Sequence, residues 1–262
     1  MKNLNGFLEF DFKKQINAFD YVYKELLKNL PKEVWSFGGG TALSLYRFRH
    51  RASFDIDIFI NDPQYFSYLS PKFYLEESDY FQDNYIETAN QISLRTKNNI
   101  KVDFVLTPPL TKRPFEVIRD NNKEFQIETI KEIIAKKIFY RKKDNKTRDI
   151  LDIAYAINEN PLILKDLLDE EAINLDILFD FKQSLNILNQ NQFIEELEKI
   201  MPSKKMEKIG YDAKNIILEN IDEIVKLKKF GIDLKGIETK SLNEVEIKEL
   251  DNKPNQNKKP KP

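Results

Sequence analysis

The chain has 262 residues, 41% of them hydrophobic and 12% aromatic, which is enough to bury one large core or two smaller ones and excludes a disordered chain. Its 42 basic and 43 acidic residues nearly cancel, so any nucleic-acid-binding surface has to be a local patch, and the absence of cysteine excludes disulfides, thiolate metal sites and cysteine nucleophiles. No apolar run approaches the roughly 18 residues of a membrane span and no secretion signal is recognisable, so we expect a cytoplasmic protein without a membrane partner.

The first half of the chain predicts an α/β region. Apolar residues at helical spacing are followed by short runs with the period-two alternation of strands. Residues 61–85 are rich in tyrosine and phenylalanine but show no clean period, and Lys97-Asn98-Asn99 suits the positive φ angles of a tight hairpin. The predicted elements are a helix over 11–30, a strand over 34–37, a helix over 42–48, and strands over 52–60, 91–96 and 100–106.

After about residue 126 the pattern changes to helices. Thr129 and Glu132 match a capping box ahead of an isoleucine-rich run, and Thr147 is a candidate cap for a second helix through Asn158. Two further helical stretches are expected over 161–200 and 205–230.

These patterns divide the chain into three parts. We predict an α/β domain over 1–125, a helical domain over 126–236 and a polar tail over 237–262. The tail is dominated by lysine, asparagine, proline and glutamine near its end, a composition that cannot bury a core and predicts disorder.

The segment from Arg51 to Phe59 carries the strongest functional signal. Side chains alternate between the two faces of a strand, so Asp55 and Asp57 share one face with Arg51 and Ser53, and the opposite face is apolar. Two carboxylates at positions i and i+2 have Cα atoms roughly 6–7 Å apart and can reach one hard cation such as Mg²⁺. The alternative is an exposed sheet face with ordinary charges.

Asp103 is the candidate for a third carboxylate. It lies opposite the apolar face of the strand over 100–106, on the same side as Lys101. If this strand neighbours the first at ~4.7–4.9 Å, the three carboxylates converge. Two Mg²⁺ ions ~3.5–4 Å apart, held by Asp55, Asp57 and Asp103, would then activate an attacking oxygen and stabilise a leaving pyrophosphate.

Three of the seven glycines stand together at 38–40 and precede Thr41, between a strand and a helix. Glycine permits close backbone approach, and N–H groups at a helix N-terminus attract phosphate oxygens. Gly39, Gly40 and Thr41 are therefore candidates for binding the phosphates of a nucleoside triphosphate (NTP). The pattern is neither a P-loop nor a dinucleotide fingerprint, and the alternative is simply a tight strand-to-helix turn.

The helix after the glycine turn ends in a basic cluster, Arg47 to Arg51. This cluster suits a triphosphate or the backbone of a nucleic-acid acceptor, but cations at a helix C-terminus also complement the helix dipole. His50 is the only histidine, so it cannot form a histidine-based metal site, and the sequence gives it no role.

Lys137 lies on the inward stripe of the helix that follows Thr129, seven residues after Ile130. A lysine there suits an ammonium that reaches an anion such as a triphosphate, although the side chain could also extend along the apolar surface to water. Lys136 lies off this stripe, and we expect it in solvent.

The next helix opens with Arg148-Asp149-Ile150-Leu151-Asp152. Asp149 in the first turn is favourable to the helix dipole, and Arg148 with Asp152 is spaced as an i, i+4 ion pair. The helix dipole and the ion pair are sufficient to explain Arg148, Asp149 and Asp152, taken alone, without a role in a functional site.

Taken together, these segments resemble the nucleotidyltransferase-like AbiEii/AbiGii family of bacterial abortive-infection toxins. The matched motifs run from about residue 38 to residue 152, and the glycine turn carries Gly-Thr, as this family does, where the wider superfamily has Gly-Ser. The motifs are Gly39-Gly40-Thr41-Ala42-Leu43, Arg51-x-Ser53-x-Asp55-Ile56-Asp57, Val102-Asp103-Phe104, and Lys137 followed by Arg148-Asp149-x-x-Asp152.

The resemblance implies a nucleotidyltransferase fold, which is an α/β (α+β) architecture with a mixed sheet flanked by helices and a helical C-terminal half. It implies Asp55 and Asp57 as metal ligands, and Lys137 and Asp152 as site residues. Members of the family are thought to transfer a nucleotide, in several cases to tRNA, and to be neutralised by an antitoxin encoded nearby.

The leading hypothesis is Mg²⁺-dependent transfer of a nucleoside monophosphate (NMP) from an NTP to an acceptor hydroxyl, with RNA such as tRNA favoured as the acceptor and an antitoxin as a further partner. Two alternatives stay open: a protein or small-molecule acceptor, and a non-catalytic nucleotide- or partner-binding module. The residues expected to bind the nucleotide are Gly39, Gly40, Thr41, Arg51, Ser53, Lys137 and Asp152.

Overall fold

The computed structural model describes residues 10–120, 123–200 and 204–229. The predicted tail over 237–262 lies outside these residues. Contacts group the described residues up to Ile224 into one compact unit, and of the short second unit the structure describes only residues 225–229, the end of a helix. The division into three domains stays a prediction.

The described residues form one mixed sheet with the strand order β3-β4-β5-β2-β1-β7-β6. The pairs β2·β5 and β1·β7 are parallel, whereas the other neighbours are antiparallel. The predicted mixed α/β fold class is confirmed. The strands are β1 Trp35–Gly38, β2 Asp55–Ile60, β3 Ile86–Glu87, β4 Gln91–Arg95, β5 Lys101–Leu106, β6 Phe115–Asp120 and β7 Lys123–Glu128.

Helices surround this sheet and make up the second half of the described chain. None of the described helices is long and apolar enough to cross a membrane. Short π-helical segments extend the first two helices, over Val22–Leu26 and Leu43–Phe48. The helices are α1 Lys13–Tyr21, α2 Gly39–Ala42, α3 Pro63–Phe66, α4 Ile130–Arg141, α5 Thr147–Glu159, α6 Ile163–Asp169, α7 Leu175–Asn186, α8 Gln190–Lys199 and α9 Glu207–Lys229.

The sheet has one apolar and one polar face at its centre. On β2, Ile56, Ile58 and Ile60 are fully buried, whereas Asp55, Asp57 and Phe59 on the other face are only partly buried. Aromatic rings fill the apolar side, where Phe19 of α1 lies 4.8 Å from Phe37 and 4.9 Å from Phe125 between ring centroids. The polar face is therefore the one on which the candidate site can lie. The strand begins at Asp55 rather than at Ala52, and Phe54 is exposed.

The hairpin of β6 and β7 was not predicted from the sequence. Its two strands alternate, but charged and amide side chains dominate the exposed positions and weaken the apolar signal. The hairpin supplies Glu128 to the polar face of the sheet, and the predicted domain boundary at residue 125 falls inside β7.

The two capping predictions had different outcomes. Thr129 caps α4 as predicted, because its hydroxyl accepts from the Glu132 N–H at 3.2 Å. The Glu132 carboxylate does not return to the cap and instead accepts from the backbone and hydroxyl of Thr111. The prediction for Thr147 is wrong: it is the first residue of α5, and its hydroxyl donates to Glu196 at 2.5 Å.

Candidate active site

Two of the predicted carboxylates lie side by side on the polar face of the sheet. β2 and β5 are parallel neighbours whose register pairs Asp57 with Asp103 and Asp55 with Lys101. On the outer sides of this row, Gly38 pairs with Asp57 and Ser93 pairs with Asp103. The arrangement follows from two short alternating strands, each of which places its acidic residues opposite a buried apolar face.

The three carboxylates differ in their partners. Asp103 accepts from Ser93 Oγ at 2.5 Å and from Lys101 Nζ at 2.6 Å. Asp55 Oδ2 lies 3.3 Å from Nη1 of Arg148 on α5. The Asp57 carboxylate has neither a hydrogen bond nor an ion pair with any residue that the structure describes.

The Asp57 carboxylate therefore lacks a direct cationic partner, although Lys137 and Arg148 act from a distance to lower its pKa. Burial, together with the charges of Asp103 and Asp55, raises the pKa of Asp57 to about 6. Like charges on one face of a sheet repel unless a cation lies between them. A hard divalent cation would relieve this repulsion.

The glycine turn lies directly against the carboxylates. Gly39 has φ 67°, and a Cβ at this position would lie 2.0 Å from Asp57 Oδ2. A Cβ at Gly40 would lie 2.4 Å from Nη2 of Arg51. At Gly39 a side chain would be strained by both the contact and the positive φ, whereas at Gly40 the end of the Arg51 side chain would have to move. The turn therefore brings the first backbone groups of α2 to Asp57.

Thr41 lies behind the turn rather than in the cavity. It is fully buried, and its hydroxyl contacts Ser53 Oγ at 2.8 Å and donates to the backbone carbonyl of Asp55. These bonds fix α2 onto the start of β2. Thr41 thus shapes the site from within, without presenting its hydroxyl to a ligand.

A buried ionic network forms the wall opposite the sheet, with Asp152 of α5 at its centre. Asp152 is fully buried and accepts from Arg51 Nε at 2.7 Å and Nη2 at 2.8 Å, and Lys137 Nζ lies 3.0 Å away. Lys137 also lies 2.5 Å from Asp149, which pairs with Arg141. Burial alone would raise the pKa of Asp152, but Arg51 and Lys137 hold it well below its usual value.

The local pairing considered for this helix does not form. Arg148 reaches Asp55 across the site, and Asp152 turns instead to Arg51, about a hundred residues earlier in the chain. Arg148 and Asp152 each pair with a residue on another element instead of with each other.

His50 belongs to the same network and was missed by the sequence analysis. Its Nε2 lies 2.5 Å from Asp152 Oδ1, and its ring stacks on Tyr155 with centroids 5.3 Å apart. Burial lowers the pKa of His50 and outweighs the neighbouring Asp152 carboxylate. A neutral imidazole that donates from Nε2 fits this position. The only sequence signal was its place directly before Arg51.

The expectation that Lys136 is solvated is wrong. Lys136 is 6% exposed, with its Nζ 2.5 Å from Glu128 and 4.1 Å from the centroid of the Phe59 ring. Helix α4 packs against both the sheet and α5, so a second stripe of its surface is buried. Burial raises the pKa of Glu128 to about 7, although Lys136 acts in the opposite direction.

These elements enclose a cavity of about 400 Å³. Its lining includes seven basic and five acidic side chains, a balance that suits a polyanionic ligand accompanied by a cation. Of the site residues predicted from the sequence, Thr41 and Asp152 do not line the cavity. Those that do are Gly39, Gly40, Arg51, Ser53, Asp55, Asp57, Asp103 and Lys137.

Asp55, Asp57 and Asp103 form an acidic row. This row fits a hard cation such as Mg²⁺, because its donors are carboxylate oxygens and the Asp57 carboxylate has no other partner among the described residues. Within the described ranges, no group of three or more histidine, cysteine or acidic residues has a ready metal-binding arrangement. Lys101 and Arg148 contact two of the three carboxylates. A Mg²⁺ site at Asp55, Asp57 and Asp103 stays a prediction.

Comparison with known proteins gave one family match. The family model described as "Nucleotidyl transferase AbiEii toxin, Type IV TA system" matches residues 21–223. No curated protein matches the chain. Among solved structures, JHP933 from Helicobacter pylori is 16% identical and aligns over 90% of this chain and 100% of its own, with a TM-score of 0.46. MenT4, a nucleotidyltransferase toxin from Mycobacterium tuberculosis, is 14% identical over 77% of this chain and 91% of its own, with a TM-score of 0.42.

Proposed function

The chain belongs to the nucleotidyl transferase AbiEii toxin family, and we propose that it transfers NMP from a Mg²⁺-bound NTP to a hydroxyl group of RNA. That it is a nucleotidyltransferase follows from this family match. The nucleotide, the cation, the acceptor and the residue roles are our proposals.

One observation carries the proposal. Asp57 lies beside Asp103, and Asp55 lies two residues earlier on the same face of β2. The backbone of Gly39 lies against Asp57, and the basic side chains of α4 and α5 lie across the cavity. Nucleotidyl transfer requires little covalent chemistry from the protein, since positioning and charge stabilisation supply most of the rate. The cavity provides oxygen donors on one wall and cations on the other.

Each residue of the site has a distinct role in this proposal. Asp55, Asp57 and Asp103 would hold Mg²⁺, which when bound supplies charge stabilisation for the attacking and leaving oxygens. The backbone at Gly39 and Gly40 faces the phosphates at the start of α2. Asp103, as a member of the same row, would accept the proton of the acceptor hydroxyl.

Three further residues face the nucleotide from the cavity walls, and a fourth, Asp152, positions two of them. Lys137 and Arg51 present positive charge to the phosphates, with Asp152 holding both side chains in place. Ser53 lines the cavity next to Gly40, where a Cβ would lie 3.4 Å from its Oγ. In this arrangement Asp152 acts on the nucleotide through its neighbours.

RNA is favoured as the acceptor by the turn between α4 and α5. Residues 141–148 read Arg-Lys-Lys-Asp-Asn-Lys-Thr-Arg, so five of eight carry positive charge. Arg141, Lys146 and Arg148 line the cavity, while Lys142 and Lys143 lie outside the lining, at 3.7 and 3.6 Å from Asp180. A basic strip that leads into an active site suits a phosphate backbone, and its binding should weaken with salt.

The test is transfer of label from each α-labelled NTP in the presence of Mg²⁺, with total bacterial RNA, with protein extract and without acceptor. We expect label on RNA from the wild-type protein and none from Asp57→Asn, which keeps the shape of the side chain but removes its charge. Asp79→Asn is the matched control, since Asp79 is an exposed carboxylate away from the cavity.

The outcomes separate the candidates. Label on protein would replace RNA as the acceptor, and transfer by Asp57→Asn at the wild-type rate would refute the roles given to the acidic row. A toxin role and an antitoxin partner follow from the family's description. They predict that expression of the wild-type protein, but not of Asp57→Asn, arrests bacterial growth.

A further inference from the structure

The cavity continues beyond the carboxylates into an apolar end. One step along the same face of the sheet, Phe59 pairs with Val105, and Val105 pairs on its other side with Gln91. All three side chains line the cavity, together with Ile133 and Tyr140 of α4. Neither the acidic row nor the phosphate-facing residues account for this end.

Helix α4 contributes side chains to both ends of the cavity. Lys137 and Arg141 point to Asp149 of α5, at the charged end. On its other stripe, Lys136 lies over the Phe59 ring and is paired with Glu128 at 2.5 Å and with Glu132 at 3.4 Å. The apolar end is lined by apolar and uncharged side chains, so it is a poor place for a phosphate, since burying an uncompensated charge among them is costly.

Tyr140 covers the apolar end. Its hydroxyl is hydrogen-bonded to Thr107 Oγ1 at 2.6 Å, and the Thr107 N–H donates to the Ile60 carbonyl at 2.9 Å, so the tyrosine is anchored at the ends of both central strands. The residue is nonetheless 53% exposed. An anchored aromatic ring with an accessible surface is a ready stacking platform for a planar ligand.

We propose that the apolar end is the subsite for the nucleobase of the NTP, with Tyr140 as the stacking residue and Val105 as the floor. This inference rests on the proposed function, because it places the base next to triphosphate contacts at Gly39, Gly40 and Lys137. The nucleotide then spans the cavity, with its phosphates at the charged end and its base under Tyr140. The volume of about 400 Å³ lies in the range of small-ligand sites.

The test compares the binding of NTPs with that of inorganic tripolyphosphate, which has the phosphates but no base. Each is titrated calorimetrically with Mg²⁺ and without acceptor into wild-type protein, Tyr140→Ala, Tyr140→Phe and the control Tyr211→Ala. Tyr211 is an exposed tyrosine of α9 outside the cavity lining. Thermal unfolding of each variant checks that the fold is retained.

We expect Tyr140→Ala to weaken binding of the preferred NTP about tenfold, within the range of base–aromatic stacking, and to leave tripolyphosphate binding unchanged. Tyr140→Phe keeps the ring and should restore most of the NTP affinity. Equal NTP binding by wild type and Tyr140→Ala, or a parallel loss of NTP and tripolyphosphate binding, would overturn the subsite.

The same titrations separate this inference from the proposed function. A wild-type protein that shows the base-dependent loss at Tyr140 but transfers no label would refute the chemistry and retain the subsite. If the wild-type protein transfers label but its NTP affinity is unchanged in Tyr140→Ala, the chemistry would be retained and the subsite refuted. A wild-type protein that binds none of the four NTPs would overturn both.

Discussion

Removal of the Asp152 carboxylate should act first on stability, by lowering the free energy of unfolding, rather than on the chemistry of the site. In Asp152→Ala, Arg51, Lys137 and His50 lose a partner that is fully buried and lies within 3.0 Å of each of them. Removing one member of a buried ion pair typically costs about 3–5 kcal/mol, because the remaining charge is left without compensation. Total stabilities of domains are only about 5–15 kcal/mol, so this variant should be close to unfolding.

Urea unfolding measures this loss directly. The chain has one tryptophan, Trp35, which is 2% exposed in the core and reports unfolding by its fluorescence. Asp152→Asn keeps an acceptor oxygen and should lose less stability than Asp152→Ala. The control is Glu25→Ala, which breaks an exposed ion pair to Lys28 and should cost at most about 1 kcal/mol.

The reasoning would be refuted if Asp152→Ala were no less stable than Glu25→Ala at an unchanged dependence on urea. Arg51 and Lys137 would then have found other partners or water, and their placement toward the cavity could not depend on Asp152. If the prediction holds, Asp152→Asn should also bind tripolyphosphate more weakly than wild type, although Asp152 does not line the cavity.

Two further predictions concern the polar face of the sheet. Burial raises the pKa of Glu128 from 4.5 to about 7, so the folded protein holds a proton that the unfolded chain releases, and the free energy of unfolding should fall as pH rises through this window. Urea unfolding across the window should show a weaker fall in Glu128→Gln, and an equal fall in both would assign it to other groups. Gly39→Ala should lose NMP transfer, because its Cβ would collide with Asp57 Oδ2 at 2.0 Å and its φ of 67° is unfavourable with a side chain; wild-type activity in the transfer assay would contradict this geometry.

The acidic row could be predicted from the sequence because it depends on local periodicity. Alternation in β2 and β5 places Asp55, Asp57 and Asp103 opposite the apolar core whichever strands are neighbours. The parallel pairing that sets Asp57 against Asp103 requires only that the two strands be adjacent, and both are apolar enough to lie at the centre of a sheet.

The opposite wall could not be predicted in the same way. His50 and Arg51 meet Asp152 across a separation of more than a hundred residues, and nothing in either local pattern specifies the pairing. Lys136 was assigned to solvent because a single apolar stripe was assumed for α4. That helix is buried on two sides, and Glu128, which compensates Lys136, comes from a strand that the sequence pattern did not reveal.

The three consecutive glycines acquire a common physical explanation only in the folded chain. A Cβ at Gly38 would lie 2.2 Å from Glu128 Oε2, one at Gly39 would lie 2.0 Å from Asp57 Oδ2, and one at Gly40 would lie 2.4 Å from Arg51 Nη2. Each glycine thus makes room for a different charged side chain. The choice between a tight turn and a phosphate-binding turn is therefore not exclusive, because the close approach that packs these charges together also brings the start of α2 to the carboxylates. Substitution at any of the three should disturb the charged groups of the cavity even where the backbone could adopt the required angles.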